Sequence, residues 1–452
     1  MIGLKDGRRV DNRPAKQLWL SFEIKGGLFT SKADTASPVE DEQLMERVVD
    51  RENLLTALRN VKRNGGSPGI DGMTVKELPK HLKREWPKIR KQLLSGTYVP
   101  QPVRRVEIPK PGDGIRQLGI PTVLDRFIQQ AVLQVLQQDW DATFSEFSYG
   151  FRPGKSAHQA IEQSQEYLKE GYLWVVDMDL EKFFDRVNHD KMMGEVRKRV
   201  SDKRVNVLIQ RFLKSGIEHE GKLLKPETGT PQGGPLSPLL ANLMLDNLDR
   251  ELEHRGHRFV RYADDVNIYV KSKRAGWRVL GSISRFLENH LKLSVNEAKS
   301  AVDRPWRRQF LGFTFSWKLN RRISEKAIKR FKDRIREITR RVRGRRIEVI
   351  IKELRQYMVG WQAYFNVTQV RYVLRELDSW VKRRLRCYLW KQWGRRGYRE
   401  LLKRGVSRDL AWNTAKSAHG PWRLSRSPGL AFALPAKYFA GMGLPRLFIK
   451  SI

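Results

Sequence analysis

The chain has 452 residues, 40% apolar and 10% aromatic, enough to bury a core in about three structural units of roughly 100–200 residues. Lysine and arginine number 88 against 50 acidic residues, a net charge of +38 that repels itself unless a polyanion is at hand, and nucleic acid is the natural one. The single cysteine, Cys387, excludes an internal disulfide or a zinc ribbon; no stretch approaches the ~20 apolar residues of a membrane span, and polar Met1–Arg13 lacks a signal-peptide core, so the chain reads as cytoplasmic with no membrane partner.

In chain order, residues 1–40 lack periodicity and read as a loose tail. Helical patterning begins at Asp41, with Leu54, Leu55, Leu58 and Val61 on one predicted face, and Asn64-Gly65-Gly66-Ser67-Pro68-Gly69 breaks it. A second helix is predicted near Val75–Leu94. Val103–Ile108 alternates as a strand, Pro111-Gly112-Asp113-Gly114 is a turn, and Ile115–Ile120 returns. Val123–Gln138 reads as a helix, and Leu173–Leu180 as a strand followed by a helix. Ser237-Pro238 predicts a helix start, with Ser as N-cap and Pro in the first turn. Short strands mixed with helices over residues 103–320 make an α+β pattern.

After Arg321 the chain turns helical and densely basic. Ile328, Phe331, Ile335, Ile338 and Val342 form one apolar stripe. Ile347, Ile350, Leu354, Met358, Trp361 and Phe365 form a second, and Val370, Val373, Leu377, Trp380, Val381, Leu385 and Leu389 a third. Three such helices predict a small bundle, with Lys329, Arg330, Arg334, Arg341, Lys382, Arg383 and Arg386 on its outer faces. The last stretch, from about residue 396, is basic, Trp-containing and less periodic.

Chemistry concentrates in two segments. Phe259–Val270 sets two β-rich runs around Asp264-Asp265, a hairpin with the acidic pair at its tip. Aspartates are common in turns because they hydrogen-bond nearby backbone, so the pair alone is weak. Upstream, Trp174-Val175-Val176-Asp177-Met178-Asp179 is an apolar strand that delivers Asp179 at its end, with Asp177 and Asp185 as rivals. Phosphoryl transfer needs positioning and charge neutralisation more than covalent help. Two divalent ions held by strand-end carboxylates supply both, and such hard cations take oxygen ligands.

Together, Asp179-Leu180-Glu181-Lys182-Phe183-Phe184-Asp185 and Tyr262-Ala263-Asp264-Asp265 resemble the reverse transcriptases encoded by bacterial group II introns. Supporting segments are Arg104–Pro121, Ser148–Gly154, Thr230–Pro238 and Phe310–Phe313, in the family's order. The resemblance covers nearly all of the chain beyond residue 40. It implies a right-hand polymerase, fingers and palm, followed by a helical thumb and a basic DNA-binding segment. It implies Asp179, Asp264 and Asp265 as catalytic carboxylates around two Mg²⁺ ions (Mn²⁺ as an alternative). Asp179 and Asp264 would be the direct ligands, and Leu180 would add a backbone carbonyl. Phe184 matches the steric gate against a ribose 2′-hydroxyl; for Phe183 and Phe184 plain core packing is the rival, expected for one of them.

Lys110 and Arg116, flanking the Pro-Gly turn, would fold over the triphosphate, where a guanidinium fork grips phosphate oxygens. Arg104 would contact template or nucleotide, Gln232 would lie beside the templating base pair, and Lys299 is the candidate general acid for the leaving pyrophosphate. Phe310–Phe313 resembles the primer grip. The implied layout is a tail (1–40), an N-terminal extension of the fingers (41–100), fingers and palm (101–320), thumb or maturase domain (321–395) and DNA-binding segment (396–452). Tyr357–Trp361 and Trp380–Trp393 carry the maturase likeness. With no His and Cys cluster of an endonuclease before Ile452, the wording is most like the class C subgroup, which would prime on an existing DNA 3′ end. The implied partners are an RNA template, a DNA or RNA primer, dNTPs, a host group II intron RNA whose splicing is assisted, and target DNA for retrohoming. Two other readings stay open: an RNA-binding splicing maturase with a dispensable active site, and a reverse transcriptase domesticated for repair or defence.

Overall fold

The computed structural model describes residues 43–109, 115–181, 183–219, 222–224, 233–341 and 344–448. The predicted loose tail, the Pro-Gly turn with Lys110, and Gln232 therefore lie outside the described residues. The chain divides into two compact units. The first holds the described residues up to Ala160 and Val176–Val302; the second holds Ile161–Val175 and the described residues from Asp303 on. Among the described residues, no helix is long and apolar enough to cross a membrane.

The strands of the first unit are β1 (Val103–Pro109), β2 (Ile115–Ile120), β3 (Trp174–Asp179, which the division cuts), β4 (Ile217–His219), β5 (Lys222–Leu224), β6 (Arg258–Tyr262), β7 (Asp265–Val270) and β8 (Ala301–Asp303). They form two four-stranded sheets, ordered β2-β1-β4-β5 and β6-β7-β3-β8. β1 and β2 pair antiparallel from Arg104 with Ile120 to Pro109 with Ile115, so the predicted hairpin is present. The expected helices fall at Arg51–Asn64, Leu78–Leu94 and Val123–Trp140. Asp50 and Thr122 cap two of them, each side chain accepting from a backbone N–H of the first turn.

Two local expectations are corrected. In Arg51–Asn64 the buried positions are Ala57 and Val61, whereas Leu55 is exposed. A small alanine allows close approach to the helix Val123–Trp140, and this sets the facing side more than the run of leucines does. Ser237 is the first residue inside the helix Ser237–His254; Leu236 occupies the cap position and no side chain caps it. This helix is buried nearly all round, from Leu239 to Leu252, and packs against β6.

The second unit contains β9 (Phe313–Phe315) paired antiparallel with β10 (Arg321–Ile323), then three long helices at Glu325–Ile338, Ile347–Phe365 and Tyr372–Trp393. All six apolar residues predicted for the middle helix are buried. Phe331 stacks on Tyr357 at 5.7 Å and packs on Trp361 at 4.5 Å, which ties the first helix to the second. The third stripe is largely kept, but Val370 precedes the helix and Trp380 is only half-buried; Val342 lies outside the described residues. Arg383 and Arg386 are not on an outer face. Short helices from Gly397 to Gly441 pack against this helix, so Arg383 donates to Ser425 Oγ and Arg386 to the Leu434 carbonyl.

Candidate active site

β6 and β7 pair with Tyr262 opposite Asp265, so Ala263 and Asp264 alone make the turn and Asp265 opens β7. Ala263 sits at φ +58°, a left-handed value at the first turn position that glycine usually occupies. Something must hold it there, and the holding group is Arg261. Its Nη1 donates to the Ala263 carbonyl at 3.1 Å and to Asn242 Oδ1 at 2.9 Å. Its Nε and Nη2 fork onto Asp249 at 2.8 and 2.5 Å, with both side chains fully buried. Asn242 donates in turn to the Gly150 carbonyl at 2.8 Å. Gly150 lies so close under the turn that a Cβ added there would stand 2.3 Å from the Ala263 nitrogen.

The other half of the site is the end of β3, adjacent to β7 in the sheet. Asp179 donates its N–H to Ser300 Oγ at 3.0 Å, and its carbonyl accepts from Asn296 N at 2.8 Å. Glu181 N donates to the Ser294 carbonyl at 2.9 Å, so Leu180 is the pair residue between two flanking bonds. In that pattern the carbonyl of Leu180 turns away from Val295, outside this ladder. Asp177 and Asp179 share a face, two residues apart. Turned with its amide nitrogen toward Asp177, Asn267 donates to Oδ1 at 3.3 Å. Asp177 is thereby tied to the neighbouring strand, and Asp179 is left at the mouth.

The carboxylates act on one another. Asp265 is pushed up to about 7: the crowded cleft strips its hydration, and the charges of Asp264, Asp177 and Asp179 repel its own, while Lys299 offsets part of this. Asp265 keeps a face open to solvent, so the repulsion is the part that an arriving cation cancels. Lys299, expected as a proton donor, pairs with Asp179 Oδ2 at 3.0 Å. Among the described residues no three His, Cys, Asp or Glu side chains form a ready cage for a metal ion. Mg²⁺ does not need one: it binds through one or two carboxylates, keeps waters and completes its shell with substrate phosphates. Mutually repelling oxygen ligands beside a solvent face fit that mode.

The remaining predicted residues are placed as follows. Phe183 enters the core, 2% exposed, and meets Phe184 edge-on at 5.2 Å; Phe184 stays half-buried. Arg104 lies on β1 with its Nε buried and without a hydrogen-bond partner among the described residues. Arg116 pairs with Ile108 through the backbone on β2. Gly233, next to Gln232, has φ +144°, and an added Cβ would come within 2.6 Å of the Gly119 carbonyl. In the second unit, Phe310 and Phe313 bridge across a two-residue turn with Leu311 at φ +51°.

Sequence reasoning missed Arg261, Asp249, Asn242 and Gly150. A signal existed. Arg261 has the strand parity of buried Phe259, and Asn242, Asp246 and Asp249 recur at helical spacing among leucines. A charge at core parity requires a buried counter-charge.

Two outcomes are expected from this geometry. Arg261→Met leaves Asp249 buried and unpaired, and lowers the unfolding free energy in urea by about 3–5 kcal/mol. Arg261→Lys, which keeps the charge but not the fork, loses less; equal losses would show that the fork contributes nothing. The second concerns pH. The folded carboxyl of Asp265 titrates above its unfolded value of about 3.9, so its share of stability is full below pH ~4 and is lost as pH rises toward about 7. Without divalent ions, Asp265→Asn should therefore raise the melting temperature at pH 8 but not at pH 4. The same increment at both pH values would remove the repulsion argument.

The reverse transcriptase (RNA-dependent DNA polymerase) family matches residues 108–315, and the group II intron maturase-specific domain matches residues 328–406. Protein YkfC of Escherichia coli K12 is 33% identical over 310 residues, 60% of this chain and 81% of YkfC. Group II intron-encoded protein LtrA of Lactococcus lactis subsp. cremoris is 30% identical over 280 residues, 48% of this chain and 47% of LtrA. The chain thus spans most of one relative and about half of the other. Among solved structures, the partial Cas6-RT-Cas1–Cas2 complex is 26% identical, with a TM-score of 0.36 over 54% of this chain and 42% of its own. The paired carboxylate segments fall inside the first matched range and the helical bundle largely inside the second, and the chain belongs to the group II intron reverse transcriptases, with a maturase-specific domain following the polymerase.

Proposed function

We propose that this chain copies RNA into DNA by two-cation nucleotidyl transfer, and that it also binds a group II intron RNA to assist splicing and retrohoming. One observation carries the polymerase reading: the Asp264-Asp265 turn and the Asp179 strand end converge closely enough that, beside burial, the charges of Asp264 and Asp179 push the Asp265 carboxyl up. Nucleic-acid binding alone gives no reason to gather carboxylates where phosphates must approach. When bound, two divalent cations would activate the primer 3′-hydroxyl and stabilise the leaving oxygen.

The residues divide the remaining work. Asp179 and Asp264 hold the cations, with the Leu180 carbonyl as a further ligand, and Asp265 supports them from the first position of β7. Arg261 fixes the height and direction of the turn. Lys299, 3.0 Å from Asp179, would be the group to protonate the departing pyrophosphate. Phe184 presents a bulky ring with no hydrogen-bond partner for a 2′-hydroxyl, which favours deoxynucleotides. Lys110 and Arg116 close over the triphosphate from the β1–β2 hairpin, Arg104 meets template or nucleotide, and Gln232 lies by the templating pair. Residues 41–100 and 101–320 serve as extended fingers and palm, 321–395 as thumb and maturase, and 396–452 as the DNA-binding segment. Assignment to the class C subgroup rests on motif wording alone.

Primer extension on an RNA template with Mg²⁺ and dNTPs tests this. Wild type is expected to make DNA, and Asp264→Ala and Asp179→Ala to fall to background. A wild type without product, or an active Asp264→Ala, overturns the assignment. Phe184→Val is expected to raise ribonucleotide use by about 10–200-fold, the range for one changed apolar contact. Unchanged sugar selectivity removes Phe184 from the gate.

A further inference from the structure

The helical unit holds a cleft of about 300 Å³, lined by Arg336, Arg341, Trp380, Arg384, Cys387 and Trp422. Among the described residues, its lining has three arginines and no carboxylate. The helix Glu325–Ile338 supplies Arg336, the helix Tyr372–Trp393 supplies Trp380, Arg384 and Cys387, and the turn of helix Pro421–Leu424 supplies Trp422. Three separate chain segments therefore build it.

Its electrostatics are one-sided. Arg384 is half-buried and, among the described residues, donates only to neutral oxygens, to Thr339 Oγ1 at 3.0 and 3.1 Å and to the Thr339 carbonyl at 3.2 Å. Burial, and then the charges of Arg341 and Arg336, pull its pKa down. A guanidinium keeps its proton in proteins, so the charge remains, met among the described residues by the Thr339 oxygens and the Trp422 ring at 5.8 Å but by no carboxylate. Arg336 has a carboxylate one turn away, Asp333, but that pair lies out in solvent and is correspondingly weak. Arg383 beside the cleft is also depressed, by burial and by Arg426. The group that would complete this cleft is an anion, and arginine forks select phosphate geometry.

The second component is aromatic. Arg383 lies 3.7 Å over the Trp422 ring, donates to the Trp422 carbonyl at 3.0 Å and reaches Ser425 Oγ at 3.2 Å. The indole is thus fixed in place, yet keeps 36% of its surface in solvent. A rigid, half-open indole beside a phosphate-selective cluster is the combination that single-stranded nucleic acids use, because stacking needs a base already out of its helix. The volume suits one nucleotide and no more.

We infer that this cleft holds one unpaired nucleotide of a single-stranded nucleic acid, its phosphodiester on Arg336, Arg341 and Arg384 and its base against Trp422. The inference rests on the nucleic-acid function proposed above and adds to it a preference for unpaired over paired segments. Fluorescence anisotropy of the full chain tests it, with a short RNA single strand, the same sequence as DNA, and its RNA duplex as probes, and inorganic phosphate as competitor. Trp422→Ala should weaken single-strand binding about 5–150-fold, the range for one lost stacking contact, with Trp422→Phe restoring most of it. Arg341→Gln should reduce the salt slope of single-strand binding by about one. Duplex binding should change far less in both variants. RNA and DNA strands weakened alike assign the contact to phosphate and base; weakening of RNA alone adds the 2′-hydroxyl to it. Equal losses on single strand and duplex, or none, or complete competition by inorganic phosphate, overturn the inference. Wild type that binds none of the three probes defeats the nucleic-acid function itself, and because no step here needs catalysis, an inactive polymerase leaves the result readable.

Discussion

One buried guanidinium holds the Asp264-Asp265 turn in its shape. Arg261 spans the Asp249 carboxylate, the Asn242 amide and the Ala263 carbonyl, so a single planar group joins the long buried helix to the tip of the hairpin. The turn cannot relax to an ordinary φ without breaking the contact to Ala263, and Gly150 closes the space beneath it. A charge pair placed so deep contributes little net stability compared with an apolar substitute of the same shape. Its value lies in specifying one arrangement: every donor of the fork has one partner at one distance, and an apolar core would tolerate several.

The same logic runs with opposite sign at the surface of the site. Carboxylates brought close at the ends of β3 and β7 resist being charged together, and the fold forces them together. A cation placed among them would relieve that resistance. In the helical unit the situation is mirrored, with arginines crowded around Arg384 and no acid among the lining residues. A chain with a net charge of +38 thus keeps an acidic cluster at the β3–β7 end and a basic cluster in the helical unit.

Much of this was legible in the sequence because two kinds of signal are local. The Asp179 strand and the Asp264-Asp265 hairpin announce themselves by β-rich runs ending in acids, and the apolar stripe from Ile347 to Phe365 by its helical period. What failed was information carried by contacts between distant segments. Leu55 satisfies the helical pattern but faces solvent, because Ala57 provides the closer approach. Arg383 and Arg386 carry the signature of an exposed face, yet short helices with little periodicity of their own fold over them. The Arg261 network was invisible for the same reason: its members stand at positions 150, 242, 249 and 261 and acquire meaning only together.

Lys299 stands 3.0 Å from Asp179 Oδ2, so the carboxylate at the strand end already has a positive neighbour. A divalent ion held by Asp179 would therefore have to displace an ammonium on a flexible, largely exposed stem. The electrostatic change at Asp179 on such an exchange would be smaller than for filling an anionic site with no cation beside it.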